Sequence, residues 1–388
     1  MKIGLIKETK TPVDNRVALT PQQAAWLQDN YGIKVVAQSS KVRVFSDDEY
    51  TKHGVSVVDA VNNCDLLLGI KEVKIDELVH GGKYVFFSHI AKEQPYNKNL
   101  LRALIQREIT LIDYEYIVDC NGRRSVAFGY YAGAVGAYNA IRLYGLKYKK
   151  FELAKPYPRW TIDTLRTEVV KKKAILQHDK VGVLITGTGR AAQGAMAVLG
   201  QLACKEIVVD MIGSDKMVTS IEGRYNRNEY HLHPSLYRSK FDDYTKNYDI
   251  LVSCHYWDMD APVFLTNELM SAKDNRIKVV ADVTCDINGS IACTIRPSTH
   301  DKPFYDYSPM TYSEVPLFVD GGNISVMAVD TLPNALPASA SREFGDMLIN
   351  NVIIPMMDGD DKAIQRATIV DCGRITKKYQ YLKSWLEE

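Results

Sequence analysis

The stretch from Val183 to Ala195, VLITGTGRAAQGA, limits the possible folds more than any other part of this sequence. An apolar run leads directly into Gly187-x-Gly189-x-x-Ala192, and a helical pattern follows. That order reads as a strand, a tight turn and a helix N-terminus. The glycines let the backbone approach a pyrophosphate. The helix end offers unpaired N–H groups and the positive end of its dipole. Asp210, 23 residues beyond Gly187, is expected to end the next strand. An acid there accepts ribose hydroxyls and favours NAD over NADP. Arg190, in the first turn of the helix, is expected to face the pyrophosphate. The plainer alternative is a purely structural glycine turn.

The same alternation of short apolar runs with helical patterns extends along the chain. KIGLIKE, IKVVAQ, DLLLGIK, KYVFFSHI and ITLIDYEYI read as strands in the first 135 residues. VGVLI, KEIVVD, DILVSC, KVVADV and ISVMAV follow in the second unit. Strand alternating with helix implies α/β architecture with mainly parallel sheets. The polar segment Lys155-Pro-Tyr-Pro-Arg159 reads as a connection. The stretch after about Ser339 has too little apolar content for a core of its own. The expected division is therefore residues 1–135 plus about 335–388 as a discontinuous substrate domain, and 136–334 as the dinucleotide domain.

Composition narrows the function classes. Net charge is +1 across 388 residues, so electrostatics give no case for nucleic acid or an anionic membrane. No apolar run reaches the roughly 18 residues of a membrane span, and MKIGLIKETK lacks a signal-peptide core. Seven cysteines without CxxC spacing suit free thiols in a reducing cytoplasm. No metal site is expected: His231 and His233 read as loop residues, and Cys285 and Cys293 have no partner pair. Cys254-His255 ends a strand without an assignable role.

Charged groups stand where parallel strands should end. LLLGIKEV delivers Lys71 and Glu72 at the end of an apolar run, and YVFFSH delivers His89. Arg16 follows the first strand, and Arg123 and Arg124 flank a glycine turn. Parallel strands put their C-terminal ends at one sheet edge, where α/β ligands bind, so Lys71 and His89 can meet there. Clustered guanidiniums suit carboxylates, which the fork grips by both oxygens. Each group also has a plain reading: a surface ion pair for Arg16, a snorkelling Lys71, a hydrogen-bonded core His89, a solvated turn at Arg123 and Arg124.

Several segments together carry a resemblance. ETKTPVDNRVALTP, GIKEV, FFSHIAKEQ and DCNGRRSVAFGYYAGAVGA resemble the saccharopine dehydrogenases that form L-lysine, within the larger alanine dehydrogenase/transhydrogenase family. ADVTCDINGSIACTIRPSTHDKPFYDY and MAVDTLPNALPASASREFG agree, and are also similar to the lysine–oxoglutarate reductase domain of bifunctional lysine-degrading enzymes. The resemblance implies two Rossmann-like domains with mainly parallel sheets separated by a cleft. It implies NAD in the second domain, and saccharopine, or lysine plus 2-oxoglutarate, as the small-molecule substrate. The implied reaction takes saccharopine, NAD and water to lysine, 2-oxoglutarate and NADH. Lys71 matches the base for the amine proton and His89 the acid–base group of the water steps. Glu72 and Glu115 match acidic neighbours that tune them. Arg16, Arg123 and Arg124 fall in carboxylate-holding segments, and Asp330 matches an aspartate near the nicotinamide. A lysine acts as base only if its pKa falls well below about 10.4. Other readings stay open: a lysine–2-oxoglutarate reductase or another opine dehydrogenase, an alanine dehydrogenase-like enzyme using free ammonia, and a dinucleotide-binding sensor without catalysis.

Overall fold

A computed structural model describes residues 1–319 and 322–387; Glu388, the last residue of the expected C-terminal segment, lies outside them. Its contacts separate Met1–Phe128 with Pro337–Glu388 as one unit and Gly129–Leu336 as the other. In the first unit the strands are β1 (Lys2–Leu5), β2 (Lys34–Gln38), β3 (Ser56–Val58), β4 (Leu66–Leu68), β5 (Lys83–Phe86) and β6 (Thr110–Asp113). All six are parallel, in the order β6-β5-β4-β1-β2-β3. β4 is buried at every residue, which is why it reads as an unbroken apolar run rather than an alternating one. Helices α1 (Pro21–Tyr31) and α2 (Asp47–Lys52) each start with a capping box, Thr20 with Gln23 and Ser46 with Glu49. Helix α3 (Lys98–Gln106) connects β5 to β6.

The chain runs outward from β1 through β2 to β3, then returns to lay β4 on the other side of β1. Its direction across the sheet therefore reverses between β1 and β4. At such a switch point the connections leave in opposite directions and open a crevice beyond the strand ends.

The second unit opens with the long helix α4 (Gly129–Lys147), followed by α5 (Ile162–Val170) and α6 (Lys173–Asp179). Strand β7 (Gly182–Thr186) leads into helix α7 (Arg190–Leu199), then strand β8 (Val208–Ile212) and the short helix α8 (Ser214–Met217). The pair β9 (Val218–Ser220) and β10 (Tyr237–Ser239) forms a separate two-stranded ribbon. Strands β11 (Ile250–Ser253), β12 (Val279–Asp282), β13 (Phe304–Ser308), β14 (Ser313–Val315) and β15 (Ile324–Met327) complete the sheet β14-β13-β15-β12-β11-β7-β8. Its five core strands are parallel; β13 and β14 add an antiparallel edge that strand alternation did not foretell.

Helices α4 and α7 lie backbone to backbone. A Cβ on Gly133 would stand 1.7 Å from the Ala191 carbonyl oxygen, and one on Gly194 would stand 1.8 Å from that of Tyr130. The small residues of both helices thus set the close packing beneath the glycine turn. The chain then returns to the first unit. After the helix Pro337–Leu348, strand β16 (Thr368–Asp371) pairs antiparallel with β6, and β17 (Arg374–Ile375) pairs with β16. This hairpin adds two strands to the sheet of the first unit. Among the described residues no helix is long and apolar enough to cross a membrane.

Candidate active site

Four neighbouring strands of the first unit, β6, β5, β4 and β1, end at one edge of the sheet. Beyond them stand Glu115, His89, Lys71 with Glu72, and Glu8. Lys71 and Glu8 therefore flank the switch point. His89 leaves β5 with a positive φ of 52°, uncommon for a residue with a side chain. Its loop is tied down. Asp113 accepts from the Ser88 backbone N–H (3.0 Å) and hydroxyl (2.5 Å), and the Asn97 amide donates to the Ser88 carbonyl (2.8 Å).

Glu72 is the hub. Its Oε1 lies 2.7 Å from His89 Nδ1, and its Oε2 lies 3.0 Å from Lys10 Nζ. Burial raises its pKa, but the His89 hydrogen bond and the Lys10 ammonium outweigh that and bring it down to about 2. Glu72 is therefore a carboxylate at neutral pH, and an acceptor-only carboxylate requires the proton on Nδ1. Nε2 is left as the ring atom able to take or return a proton. Glu115 accepts from Lys92 at 2.8 Å and pairs with Arg124. Burial raises it too, but Arg124, Lys92 and His89 draw it below the ordinary value. Both glutamates thus interact with His89, Glu72 by a direct hydrogen bond and Glu115 electrostatically.

The three arginines differ in burial and in partners. Arg16 is buried and donates through Nε and Nη2 to both oxygens of Asp14, at 2.9 and 2.5 Å. Its guanidinium stacks 4.2 Å over Phe128. Half of its fork is thus taken by a partner two residues away. Burial raises the Asp14 pKa, but this pair with Arg16 draws it below the ordinary value. Arg124 is exposed, pairs with Glu115 and forms a backbone bridge to Val118. Arg123 is exposed on a turn organised by the Asp119 carboxylate, which accepts from its backbone N–H at 2.9 Å.

Sequence reasoning missed Glu8, Lys10, Asp14 and Lys92. Glu8 and Lys10 carried a usable signal, an acid and a base directly after an apolar strand, as in LLLGIKEV. Lys71 counts among the influences that lower Asp14, which joins that loop electrostatically to the end of β4.

In the second unit the C-terminal edge carries the glycine turn. Gly187 has φ +87°, and a Cβ there would stand 2.7 Å from the Cys254 carbonyl oxygen, so both conformation and space require glycine. Gly189 caps α7 in open surroundings, with nothing within 4 Å of a Cβ position. Arg190 is the first, exposed residue of that helix. An unobstructed N-terminus on a ten-residue helix fits a pyrophosphate.

Asp210 needs correction. It does not end its strand: it pairs with Leu184 in the middle of β8, two residues short of the edge, and accepts from the Tyr248 hydroxyl at 2.5 Å. The acid at the edge is Asp215. A Cβ on Gly213 would stand 2.5 Å from Asp215 Oδ1 and 3.4 Å from the methyl of Thr188, inside the glycine turn. The miscount arose because β8 runs on through Met211 and Ile212. Asp330 is exposed beyond β15 and acts electrostatically on Cys285 beyond β12. His255 is a core residue, with Nδ1 2.7 Å from the Thr186 hydroxyl and Nε2 2.9 Å from that of Ser290. Burial lowers its pKa to about 3, so it stays neutral.

Comparison with known proteins bears on this arrangement. Residues 4–135 match the family model described as alanine dehydrogenase/PNT, N-terminal domain. An alpha-aminoadipic semialdehyde synthase of Arabidopsis thaliana is 29% identical over 98% of this chain, which spans 41% of that protein's length. A saccharopine dehydrogenase [NAD(+), L-lysine-forming] of Emericella nidulans is 30% identical, with 91% of each chain covered. Among solved structures, an L-alanine dehydrogenase superposes over the whole of both chains with a TM-score of 0.65 at 16% identity, a likeness of fold.

Proposed function

This chain belongs to the saccharopine dehydrogenase family, and from that premise we propose that it is an NAD-dependent oxidoreductase acting on a CH–NH group, interconverting saccharopine and water with L-lysine and 2-oxoglutarate. The observation that carries the reading is the Glu72–His89 pair standing beside Lys71 on adjacent strand ends. A secondary amine must lose its proton before hydride leaves, because the nitrogen lone pair forms the C=N bond. Lys71 is the proposed base for that proton. Water must then add to the C=N carbon and the amine must depart, and both steps move protons. His89 Nε2 is suited to them, because Glu72 holds the ring in one tautomer and orientation. Arg124 and Lys92, both partly exposed around Glu115, supply positive charge for substrate carboxylates.

When bound, the dinucleotide supplies the hydride acceptor. Gly187, Gly189 and the first turn of α7 would hold its pyrophosphate, Asp215 its ribose hydroxyls, and Asp330 would lie toward the nicotinamide. A cytoplasmic location belongs to the same reading, in keeping with seven free cysteines.

The test is NADH consumption assayed with amino acid and 2-oxo acid pairs. Consumption that requires both L-lysine and 2-oxoglutarate is expected. Turnover with ammonia and pyruvate instead would mark an alanine dehydrogenase-like enzyme. Binding of NADH with no turnover on any pair would mark a sensor. The semialdehyde synthase likeness favours a second reading of the same site, as the lysine-consuming part of a longer protein.

A further inference from the structure

The backbone just beyond β4 has an unusual arrangement of partners. Leu68 still pairs normally, its carbonyl accepting from Ile6 N–H at 3.0 Å, and Gly69 N–H donates to the Val85 carbonyl at 3.1 Å. For the N–H groups of Ile70 and Lys71 a side chain, not a strand carbonyl, is the acceptor shown among the described residues. That side chain is Glu8: Oε1 accepts from Ile70 N–H at 2.6 Å and Oε2 from Lys71 N–H at 2.9 Å. Ile70 is fully buried, so its N–H has no recourse to water. We propose that Glu8 is a positioning residue for Lys71: its carboxylate clamps the two backbone amides that carry Lys71 into the site. The proposal rests on the reading of Lys71 as the base.

The clamp depends on charge. An ionised carboxylate has two equivalent acceptor oxygens. A protonated one presents a hydroxyl, a poor acceptor, to one of the two amides. The groups facing Glu8 are Asp14 and Arg16 from the loop after β1, the amides after β4, and Tyr114 after β6. Burial first, and then Asp14, raise the Glu8 pKa; the two amides and Arg16 lower it, and the balance is about 8. The clamp therefore tightens as pH rises through that value, and the setting of Lys71 tightens with it.

Two measurements test this. The first is the pH profile of kcat/KM for wild type and Glu8→Gln, with the melting temperature and NADH affinity of each. Gln keeps the shape but presents one N–H₂ where an acceptor is needed. Misplacement of a reacting group by about 1 Å can lower rate about 100-fold. The expected result is a loss of about 10- to 100-fold in kcat, unchanged NADH affinity, and disappearance of the ionisation near 8. A uniform loss with that ionisation intact would show a merely structural role and overturn the proposal. The second measurement needs neither turnover nor a variant. Amide hydrogen exchange at Ile70 and Lys71 in the unmutated protein, corrected for intrinsic rates, should show protection that grows as pH rises through about 8. Flat protection there would overturn the clamp even if lysine-dependent turnover stands. Absence of turnover with rising protection would instead remove only the functional reading.

Discussion

Lys71 follows a three-residue strand that is wholly buried, and it is the first charged group after it. The apolar run in LLLGIKEV therefore fixes where the side chain begins, while its backbone N–H is held by Glu8 from beyond the end of β1. Lys71→Met should lower kcat about 10²- to 10⁴-fold, the usual contribution of a general base, with NADH affinity nearly unchanged. Lost NADH binding or unaltered turnover, read by steady-state assay and fluorescence titration, would contradict the base assignment. Glu72 predicts a pH effect on stability. Its pKa is about 2 folded against 4.5 as an ordinary carboxylate, so the folded state binds its proton more weakly. The stabilisation is complete above the ordinary value and is lost as pH falls through about 2, at most about 3 kcal/mol. Thermal denaturation of Glu72→Gln should accordingly show a deficit against wild type that shrinks in acid. A deficit independent of pH would mean the carboxylate charge contributes nothing. The Lys71, Glu72 and His89 positions were legible from strand-end charges. The partner of Glu72 was not, because hydrogen-bond geometry depends on how β4 and β5 align.

The two helices at the glycine turn show a different kind of legibility. Gly187, Gly189 and the helix start at Arg190 were readable because the turn demands glycine at fixed spacing after a strand. The close contact of α4 with α7, of Gly133 with Ala191 and of Gly194 with Tyr130, was not readable, since it joins residues 58 and 64 positions apart. The end of β8 shows the usual weakness at element boundaries: two more apolar residues moved the sheet edge past Asp210. Asp215→Ala should weaken NADH binding about 10-fold, the scale of a hydrogen bond to a neutral partner lost from an acid. Asp210→Ala, whose carboxylate bonds Tyr248, should leave binding within about twofold. Titration by protein fluorescence compares the two, and the reverse order would restore Asp210 as the ribose acid.

Taken as a chain of 388 residues, the protein folds as two units, each with its own mainly parallel sheet. The proposed cofactor site lies within the second. Reduced dinucleotide at about 100 times its dissociation constant should add about 2.7 kcal/mol to the stability of the unit that binds it. Calorimetry should register this as a higher melting temperature in wild type and no shift in Gly187→Ala, where a Cβ would meet the Cys254 carbonyl. An equal shift in both would place binding elsewhere. Local sequence was enough to specify α/β architecture, the glycine turn and the charged residues at strand ends. These depend on short-range periodicity and on conformations only glycine adopts. Strand order, the switch point between β1 and β4, the hub at Glu72 and the clamp of Glu8 on Ile70 and Lys71 join residues far apart in the chain: Glu8 and Lys71 are 63 positions apart, and Leu111 and Val370, paired between β6 and β16, are 259 apart. No local pattern encodes such pairings; they come into being when the chain reverses direction across the sheet and brings separate strand ends to one edge.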